Sequence, residues 1–366
     1  LFSLQYDNSP CTFKLQGNLL SMLSFPKEEG EEFFIRMNVM PTDLVLNNLS
    51  MEVEPAVIEL RHKNISVADL GFSMDDQPFL MVNGQISESK DDSLLVQFSH
   101  ASVHHLLSSV NKQDIPVDAF LDGTVHFYSL LGSPRFYTKG FHVDDITYRG
   151  DTIGSLNVNS RWNTKYQGMR VVANLQRGAT TAATADGYLS PVNDKIHFDV
   201  HLDELPLVMA EVPLQGVLHN LSGSIGTDMQ VNGKLSAPDI EGYFYFKDAR
   251  ATVDFTDVAY RISDTIFFSP NRIMFRDFDI YDSKNKKLNI NCAVHHKDFS
   301  DFRYTATLRM DNLLLLNNPT KKDSLLYGTF YASGAVDVKG DMKAARISGS
   351  LKNGDWTNVM IRLPES

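Results

Sequence analysis

The chain has 366 residues, of which 43% are hydrophobic and 22% are charged. These proportions are ordinary for a folded protein and exclude an intrinsically disordered chain. The formal net charge of -11 argues against a general nucleic-acid binder, because such a protein carries a surplus of Lys and Arg on one face. No basic cluster appears along the sequence apart from the short, turn-like run 284–287.

The cysteine content and the hydropathy exclude two further classes. Cys11 and Cys292 are too few for a disulfide scaffold, and their spacing is not that of a metal knuckle. No stretch approaches the roughly 18 consecutive apolar residues that a membrane-spanning helix needs. We expect this chain to be a piece of a longer protein, whose targeting or membrane segment lies outside these residues.

In chain order, the first periodic element is a short helix, predicted over residues 102–110 because Val103, Leu106, Leu107 and Val110 recur at helical spacing. Later segments show the alternation of apolar and polar residues that is typical of half-buried strands. The alternating segments are residues 169–176, 195–203, 288–295 and 303–310. One apolar side per strand is typical of antiparallel sheets with one dry and one wet face.

Dipeptides that end in glycine punctuate the chain and predict hairpin turns, because glycine accepts a positive φ. They are Asn83-Gly84, Asp122-Gly123, Arg149-Gly150, Asp186-Gly187, Ser222-Gly223, Asn232-Gly233 and Asn353-Gly354. Strands joined by such turns form a long antiparallel meander.

Internal repetition indicates several multi-strand units in series. Residues 82–87 (VNGQIS) are nearly rewritten at residues 231–236 (VNGKLS), and a larger glycine-proline unit recurs about every hundred residues. We predict three segments within one continuous elongated array. They are an amino-terminal β segment (1–110), a middle β repeat (111–221) and carboxy-terminal β repeats (222–366).

No sequence motif predicts catalysis. His100 and His104 have the spacing of a zinc-binding helix, but Ala101 stands where the general-base Glu belongs and no third ligand is indicated. No glycine loop that cradles phosphate precedes a helix. We therefore predict no catalytic residue, no metal site and no cofactor, and we expect that the protein is not an enzyme.

A set of segments in the carboxy-terminal part follows a characteristic order and spacing. It consists of 222–223, Gly233, 238–240, Gly242, 260–264, Ile266, Phe268, Ile273, Phe275, Asp282, 294–295, Phe299, 301–302, 313–317, 327–329, 333–334, Thr357 and 361–364. In this order the stretch 222–364 resembles the carboxy-terminal region of the TamB family, within the AsmA-like envelope proteins. The sequence departs from the family pattern at the lysine-rich run 284–287 and at Cys292, where a glycine is expected.

This resemblance implies an all-β fold: an elongated, twisted, mostly antiparallel half-pipe, called a β-taco, with an apolar inner face and very little helix. It implies the periplasmic part of an inner-membrane-anchored cell-envelope protein, held between the inner and outer membranes. The implied roles are phospholipid transport and assistance to outer-membrane protein assembly. The implied partners are phospholipid or another acyl-chain ligand and an outer-membrane barrel protein of the TamA or BamA kind.

The apolar sides of three of the alternating segments are candidates for lining a lipid groove. These candidate groove residues are Ile196, Phe198, Val200, Leu202, Leu288, Ile290, Val294, Tyr304, Leu308 and Met310. Two alternatives remain open at this point. One is a structural or adhesive β module whose apolar face is a packed core. The other is a carbohydrate-active protein on a β scaffold, indicated by surplus carboxylates and by Trp162, Tyr166 and Trp356.

Overall fold

The computed structural model describes residues 2–8, 11–24, 34–47, 49–110, 116–132, 134–163, 165–212, 214–319 and 326–361. The chain divides into two compact units, Leu1–Ile196 and His197–Ser366. The three-segment division at residues 110 and 221 stays a prediction. The side chain of Cys11 and residues 362–366, at the end of the family-like segments, lie outside what is described.

The first unit is an antiparallel meander in which strands that follow one another in the chain are hydrogen-bonded neighbours. Its elements are β1 (Phe2–Asn8), β2 (Cys11–Ser24), β3 (Phe34–Leu46), β4 (Leu49–Val53), β5 (Ala56–Arg61), β6 (Asn64–Met74), β7 (Gln77–Ser87), β8 (Ser93–Ser102), α1 (Val103–Val110), β9 (Val117–Tyr128), β10 (Arg135–Tyr148), β11 (Asp151–Asn163), β12 (Gly168–Arg177) and β13 (Thr180–Ser190). The short strands β4 and β5 both pair with β3 and together take the place of one long strand.

The second unit repeats this organisation. Its elements are β14 (Lys195–Pro206, which begins at the end of the first unit), a 3-10 turn (Leu207–Ala210), β15 (Leu218–Gly233), β16 (Pro238–Val253), β17 (Val258–Ile262), β18 (Thr265–Ser269), β19 (Arg272–Tyr281), β20 (Lys287–Lys297), β21 (Ser300–Asn317), β22 (Leu326–Asp341), β23 (Ala345–Asn353) and β24 (Asn358–Ile361). Two pairs of short strands, β17 with β18 and β23 with β24, each lie along one long neighbour.

The predicted fold class is confirmed. Every pairing between described strands is antiparallel, and α1 is the one α-helix of the described residues, at the predicted place. The alternating segments all form strands, namely β12, β14, β20 and β21. None of the described pairings joins the first strand of either unit to its last, so each sheet is open, which is consistent with the predicted twisted half-pipe.

The prediction of hairpin turns at glycine dipeptides is only partly right. Arg149-Gly150 forms the turn between β10 and β11, and two other dipeptides end strands, whereas those at residues 83, 122, 186 and 222 lie inside strands. There the glycine makes room for a neighbouring backbone: a Cβ on Gly84 would lie 2.0 Å from the carbonyl oxygen of Ser93. Gly84 also has a φ of 119°, so both sterics and conformation favour glycine at this position.

Two of these mid-strand dipeptides, at residues 83 and 122, stabilise β-bulges. At five bulges the extra residue has a positive φ, and its N–H donates to a side-chain oxygen that lies opposite on the next strand. The donor and acceptor pairs are Asp69 with Asn83 (2.6 Å), His100 with Asp122 (2.7 Å), Asp248 with Ser263 (3.1 Å), Asp277 with Asn291 (3.0 Å) and Asn312 with Ser333 (2.8 Å). At residues 83, 122 and 333 the accepting side chain belongs to the residue before the glycine, which explains why this dipeptide recurs.

A buried carboxylate joins the turn after β19 to β21. Asp282 is fully buried, and its Oδ1 accepts the backbone N–H groups of Lys284 (2.8 Å) and Lys286 (2.9 Å). Its Oδ2 accepts the N–H of Leu314 (3.0 Å), a residue beside a register shift in the β21–β22 pairing. Buried charge is stable only when it is hydrogen-bonded, so these three donors allow Asp282 to be buried.

The lysine-rich run 284–287 begins with the predicted turn, and its first residue is packed. The ammonium group of Lys284 lies 3.6 Å from the ring centroid of Trp356 and 4.9 Å from that of Tyr331. Such cation–π contacts attract the ammonium to the electron-rich ring faces. The turn therefore contacts the segment that follows β23.

Removal of the Asp282 carboxylate is expected to destabilise the second unit. Asp282→Ala leaves the buried N–H of Leu314 without an acceptor, at a cost of about 1–3 kcal/mol, and removes the acceptor of the part-buried N–H groups of Lys284 and Lys286. We expect the free energy of unfolding, measured in urea, to fall by about 2 kcal/mol or more. Asp337→Ala is the control, because Asp337 is exposed and accepts one hydrogen bond, from Thr307. Equal losses in the two variants would contradict the role of Asp282.

A second prediction concerns alkaline pH. Burial, and secondarily the charge of Asp282, raises the pKa of Tyr260 from 10.0 to about 12. The folded state therefore favours the neutral phenol, whose O–H donates to the carbonyl of Leu314 at 2.7 Å. This contribution to stability is complete below pH 10 and is lost as the pH rises to about 12. In melting curves between pH 8 and 12, Tyr260→Phe should lose less stability with rising pH than the unmodified protein. Equal losses in the two proteins would contradict this role of Tyr260.

Candidate functional site

The apolar sides of the second unit's strands form one continuous face. Residues directly opposite each other in paired antiparallel strands point to the same side of the sheet, so the register identifies which side chains share it. One row of cross-strand neighbours runs from β14 to β23. It contains Leu202, Thr227, Phe244, Ile266, Phe275, Cys292, Ala306, Val338 and Ile347.

Rows on either side of this one are also apolar. The row on one side contains Val200, Met229, Gly242, Phe268, Ile273, Val294, Tyr304 and Gly340. On the other side lie a row with Phe278, Ile290, Leu308 and Val336, and beyond it a row with Ile280, Leu288, Met310 and Leu351. These four rows are referred to below as the apolar face.

Burial along the strands is uneven. At one end, here called the closed end, side chains such as Ala249, Val258, Leu313 and Ala332 are fully buried. Two small clusters form there, one around Leu207 and one in which Val258, Leu314 and Tyr331 pack together. Away from this end Thr227, Phe278 and Val336 are also buried, but most of the apolar side chains are half-buried, and Ile347 on β23 is 69% exposed. The described residues therefore leave most of the apolar face accessible.

Eight of the ten candidate groove residues fall on this face; Phe198 lies one row beyond it on the same side of the sheet, and Ile196 is the other exception. Leu288 (9% exposed) lies next to the closed end, and the others are half-buried. Direct cross-strand pairs join Leu288 to Met310, Ile290 to Leu308 and Val294 to Tyr304. Phe198, Val200 and Leu202 lie opposite residues of β15. Ile196 is the last residue of the first unit, outside the described pairing of β14 with β15.

Several residues of the face were not among the candidates. Phe244, Ile266, Phe275, Val336 and Val338 share its rows. On β22 the sequence does show the alternation that predicts an apolar side, since Val336 and Val338 alternate with charged residues.

On β19 the sequence signal is broken by the bulge at Asp277. It adds one residue between Phe275 and Phe278, so both rings point to the same side although their numbers differ by three. A strict two-residue period would have placed Phe278 on the wet face.

Cys292 lies in the middle of the apolar face. It is half-buried and free of any disulfide, and burial raises the pKa of its thiol. The neutral thiol is a small apolar side chain. Cys292 therefore keeps the apolar character of the face at the position where we expected a glycine.

The other sites considered from the sequence are not assembled. His100 on β8 stacks on Phe120 (4.0 Å between ring centroids), whereas His104 lies on α1 near Asp118. Within the described residues no group of three His, Cys, Asp or Glu side chains is arranged to hold a metal ion. In the same part of the chain, no helix has both the length and the hydropathy of a membrane span.

The aromatic residues that suggested a carbohydrate-active protein each contact a neighbouring side chain. Arg135 lies 5.3 Å above the Trp162 ring, and Tyr166 stacks on Tyr188 with 4.5 Å between centroids. Trp356 contacts Lys284, as described above. These rings act in local packing.

Comparison with protein families identifies the carboxy-terminal part of the chain. Residues 276–366 match the family model of the TamB C-terminal domain. Comparison with curated proteins and with solved structures gives no match. The matched region begins within β19 and contains β20 to β24, so it carries much of the apolar face, the buried Asp282 and the Trp356 contact. The match covers about a quarter of the chain and identifies residues 276–366 as a TamB C-terminal domain, which supports the predicted resemblance to the TamB family.

Proposed function

We propose that the apolar face of the second unit binds the acyl chains of phospholipid and carries them between the inner and outer membranes. The proposal rests on one observation: the face is continuous across the sheet and is only half-buried. The TamB family consists of non-enzymatic cell-envelope proteins, and burial of an acyl chain requires no catalytic residue. In this proposal the chain is the periplasmic part of a protein anchored in the inner membrane.

The length of the face fits a conduit better than a pocket for one ligand. The row from Leu202 to Ile347 makes eight strand-to-strand steps. At about 4.8 Å a step, it extends roughly 38 Å along the sheet. One leaflet of a bilayer has a hydrocarbon thickness of about 15 Å, so an acyl chain has room to move along the row.

The energy available is sufficient for capture. Each CH₂ group removed from water contributes about 0.8 kcal/mol, so contact with ten such groups contributes about 8 kcal/mol before the cost of ordering the chain. A fully packed β module would show this face buried throughout, whereas full burial is confined to the closed end and a few positions beyond it. The half-buried rows therefore favour lipid binding over a purely structural or adhesive module.

A second candidate function is assistance to outer-membrane protein assembly, for which TamB proteins generally work with the outer-membrane protein TamA. The observation that favours it is β23. Every residue of this strand is exposed, and among the described residues it pairs with β22 alone. A strand with one free edge can accept a strand from a client or a barrel partner.

Photo-crosslinking tests the lipid proposal. A benzophenone amino acid at Ile290 or Leu308, introduced into the protein in growing cells, is expected to give covalent phospholipid adducts detected by mass spectrometry. Asn289 and Arg309 are matched controls, because they form the adjacent cross-strand pair and point to the opposite side of the same two strands. Adducts of equal yield at all four positions, or no adduct at Ile290 and Leu308, would overturn the proposal.

A charge on the apolar face should block capture without unfolding the protein. Leu308→Asp is expected to lower the yield of phospholipid adducts at Ile290 at least about tenfold, because a carboxylate at the acyl-chain surface must be desolvated. His295→Asp is the control, since it adds the same charge to the exposed, polar side of the neighbouring strand β20. Thermal melting should confirm that both variants are folded. Undiminished adducts in folded Leu308→Asp would count against the apolar face.

A further inference from the structure

The opposite, polar side of the same sheet carries a group of cationic side chains. Lys339 on β22 and Arg346 on β23 are direct cross-strand partners, so their side chains point to the same side. Like charges directly opposite each other destabilise a sheet. Among the described residues neither side chain forms an ion pair, although the chain as a whole has a net charge of -11.

A third cation lies nearby. Arg276 follows Phe275 on β19 and points away from the apolar face, where its guanidinium lies 5.3 Å above the ring of Phe267. Arg276, Lys339 and Arg346 all line one open depression of about 590 Å³ that crosses β19 to β23. We call this depression the polar valley.

The rows that line the polar valley show on which side of the sheet it lies. They include the wet-side neighbours Met274, Ala293 and Thr305 on one flank and Asn291 and Thr307 on the other. Between these two flanks the lining residues belong to the row that runs from Leu202 to Ile347. The other three rows of the apolar face supply no lining residue. The polar valley therefore lies on the polar side of the sheet, opposite the apolar face.

The polar valley has the chemistry of an oxyanion site. Its acidic lining residue is Asp337, which already accepts a hydrogen bond from the Thr307 hydroxyl at 2.7 Å. Hydroxyl groups of Thr305 and Ser348 also line it. Arg and Lys side chains bind phosphate through charge-assisted hydrogen bonds, and hydroxyl and amide side chains bind the hydroxyl groups of polyols.

We propose that the polar valley binds a phosphorylated polyol, with Arg276, Lys339 and Arg346 contacting the phosphate and the Thr305 and Ser348 hydroxyls contacting the polyol. The hydroxyl groups beside the cations favour a ligand that carries hydroxyl groups as well as a phosphate. A bound phosphate also relieves the repulsion between Lys339 and Arg346. Such a ligand is the headgroup of an anionic lipid or a free polyol phosphate.

The test is calorimetric titration of the purified protein with glycerophosphoglycerol, a soluble phosphorylated polyol. Saturable binding is expected, and Lys339→Gln and Arg346→Gln should each weaken it about tenfold, the loss typical of one charge-assisted hydrogen bond. Both variants should melt at the same temperature as the unmodified protein or higher, because the repulsion between the two cations is removed. Arg309→Gln is the control: Arg309 lies on the same side of β21, outside the polar valley, and its loss changes the net charge equally.

Three outcomes of the titration decide whether the polar valley binds a phosphorylated polyol. Weakened binding in the valley variants with an unchanged control supports the site. Absence of saturable binding, or equal weakening by Arg309→Gln, overturns it, because the effect would then be general surface charge.

The source of the ligand is distinguished by flotation with vesicles of phosphatidylglycerol and phosphatidylcholine. Binding that depends on Lys339 and Arg346 identifies a membrane headgroup, whereas binding of the soluble probe alone identifies a free polyol phosphate. Phospholipid adducts at Ile290 should be unaffected by Lys339→Gln and Arg346→Gln, so this site can fail while the acyl-chain proposal stands.

Discussion

Which side chains point into the apolar face depends on the hydrogen bonds that hold the β-bulges. In β19 the residue Asp277 adopts a positive φ, and its N–H donates to Asn291 on the neighbouring strand. Because this residue is extra, Phe275 and Phe278 both point into the apolar face. Without the bulge, Phe278 and Ile280 would turn to water, at a cost of about 1.5–3 kcal/mol for each side chain. Bulges with the same hydrogen bond occur in both units, so the arrangement is general in this chain.

The closed end supplies stability that the rest of the face lacks. Asp282, Tyr260 and the cluster of Val258, Leu314 and Tyr331 connect strands through buried hydrogen bonds and close packing. A sheet with a half-buried apolar face gains less from burial than a packed sandwich does. Concentration of the core at one end of the strands allows the remaining rows to stay accessible, which a lipid-binding surface requires.

The two sides of the sheet present opposite chemistries to the surroundings. One side carries rows of apolar residues, and the other carries the polar valley with its three cationic side chains. Since the side chains of a strand alternate between the two sides, a single run such as residues 288–310 contributes to both. Under the two proposals above, this division separates the proposed surface for acyl chains from the proposed surface for phosphate groups.

The sequence by itself determined the elements with local periodicity. Alternation in residues 195–203, 288–295 and 303–310 was enough to predict strands and their apolar sides, and helical spacing was enough for α1, because both patterns depend on neighbours in the chain. The ordered glycine, proline and aspartate positions were enough to indicate the TamB resemblance.

Only the tertiary structure decided the features that depend on pairing between distant residues. The role of Asn83-Gly84 and Asp122-Gly123 as bulge partners requires a neighbouring strand, and sequence reasoning placed turns there instead. The placement of Phe278 depends on a hydrogen bond to Asn291, and the polar valley brings together Arg276 and Arg346 from separate strands. The physical reason is that a strand's register is set by cross-strand hydrogen bonds and sterics, which the order of residues along one strand does not contain.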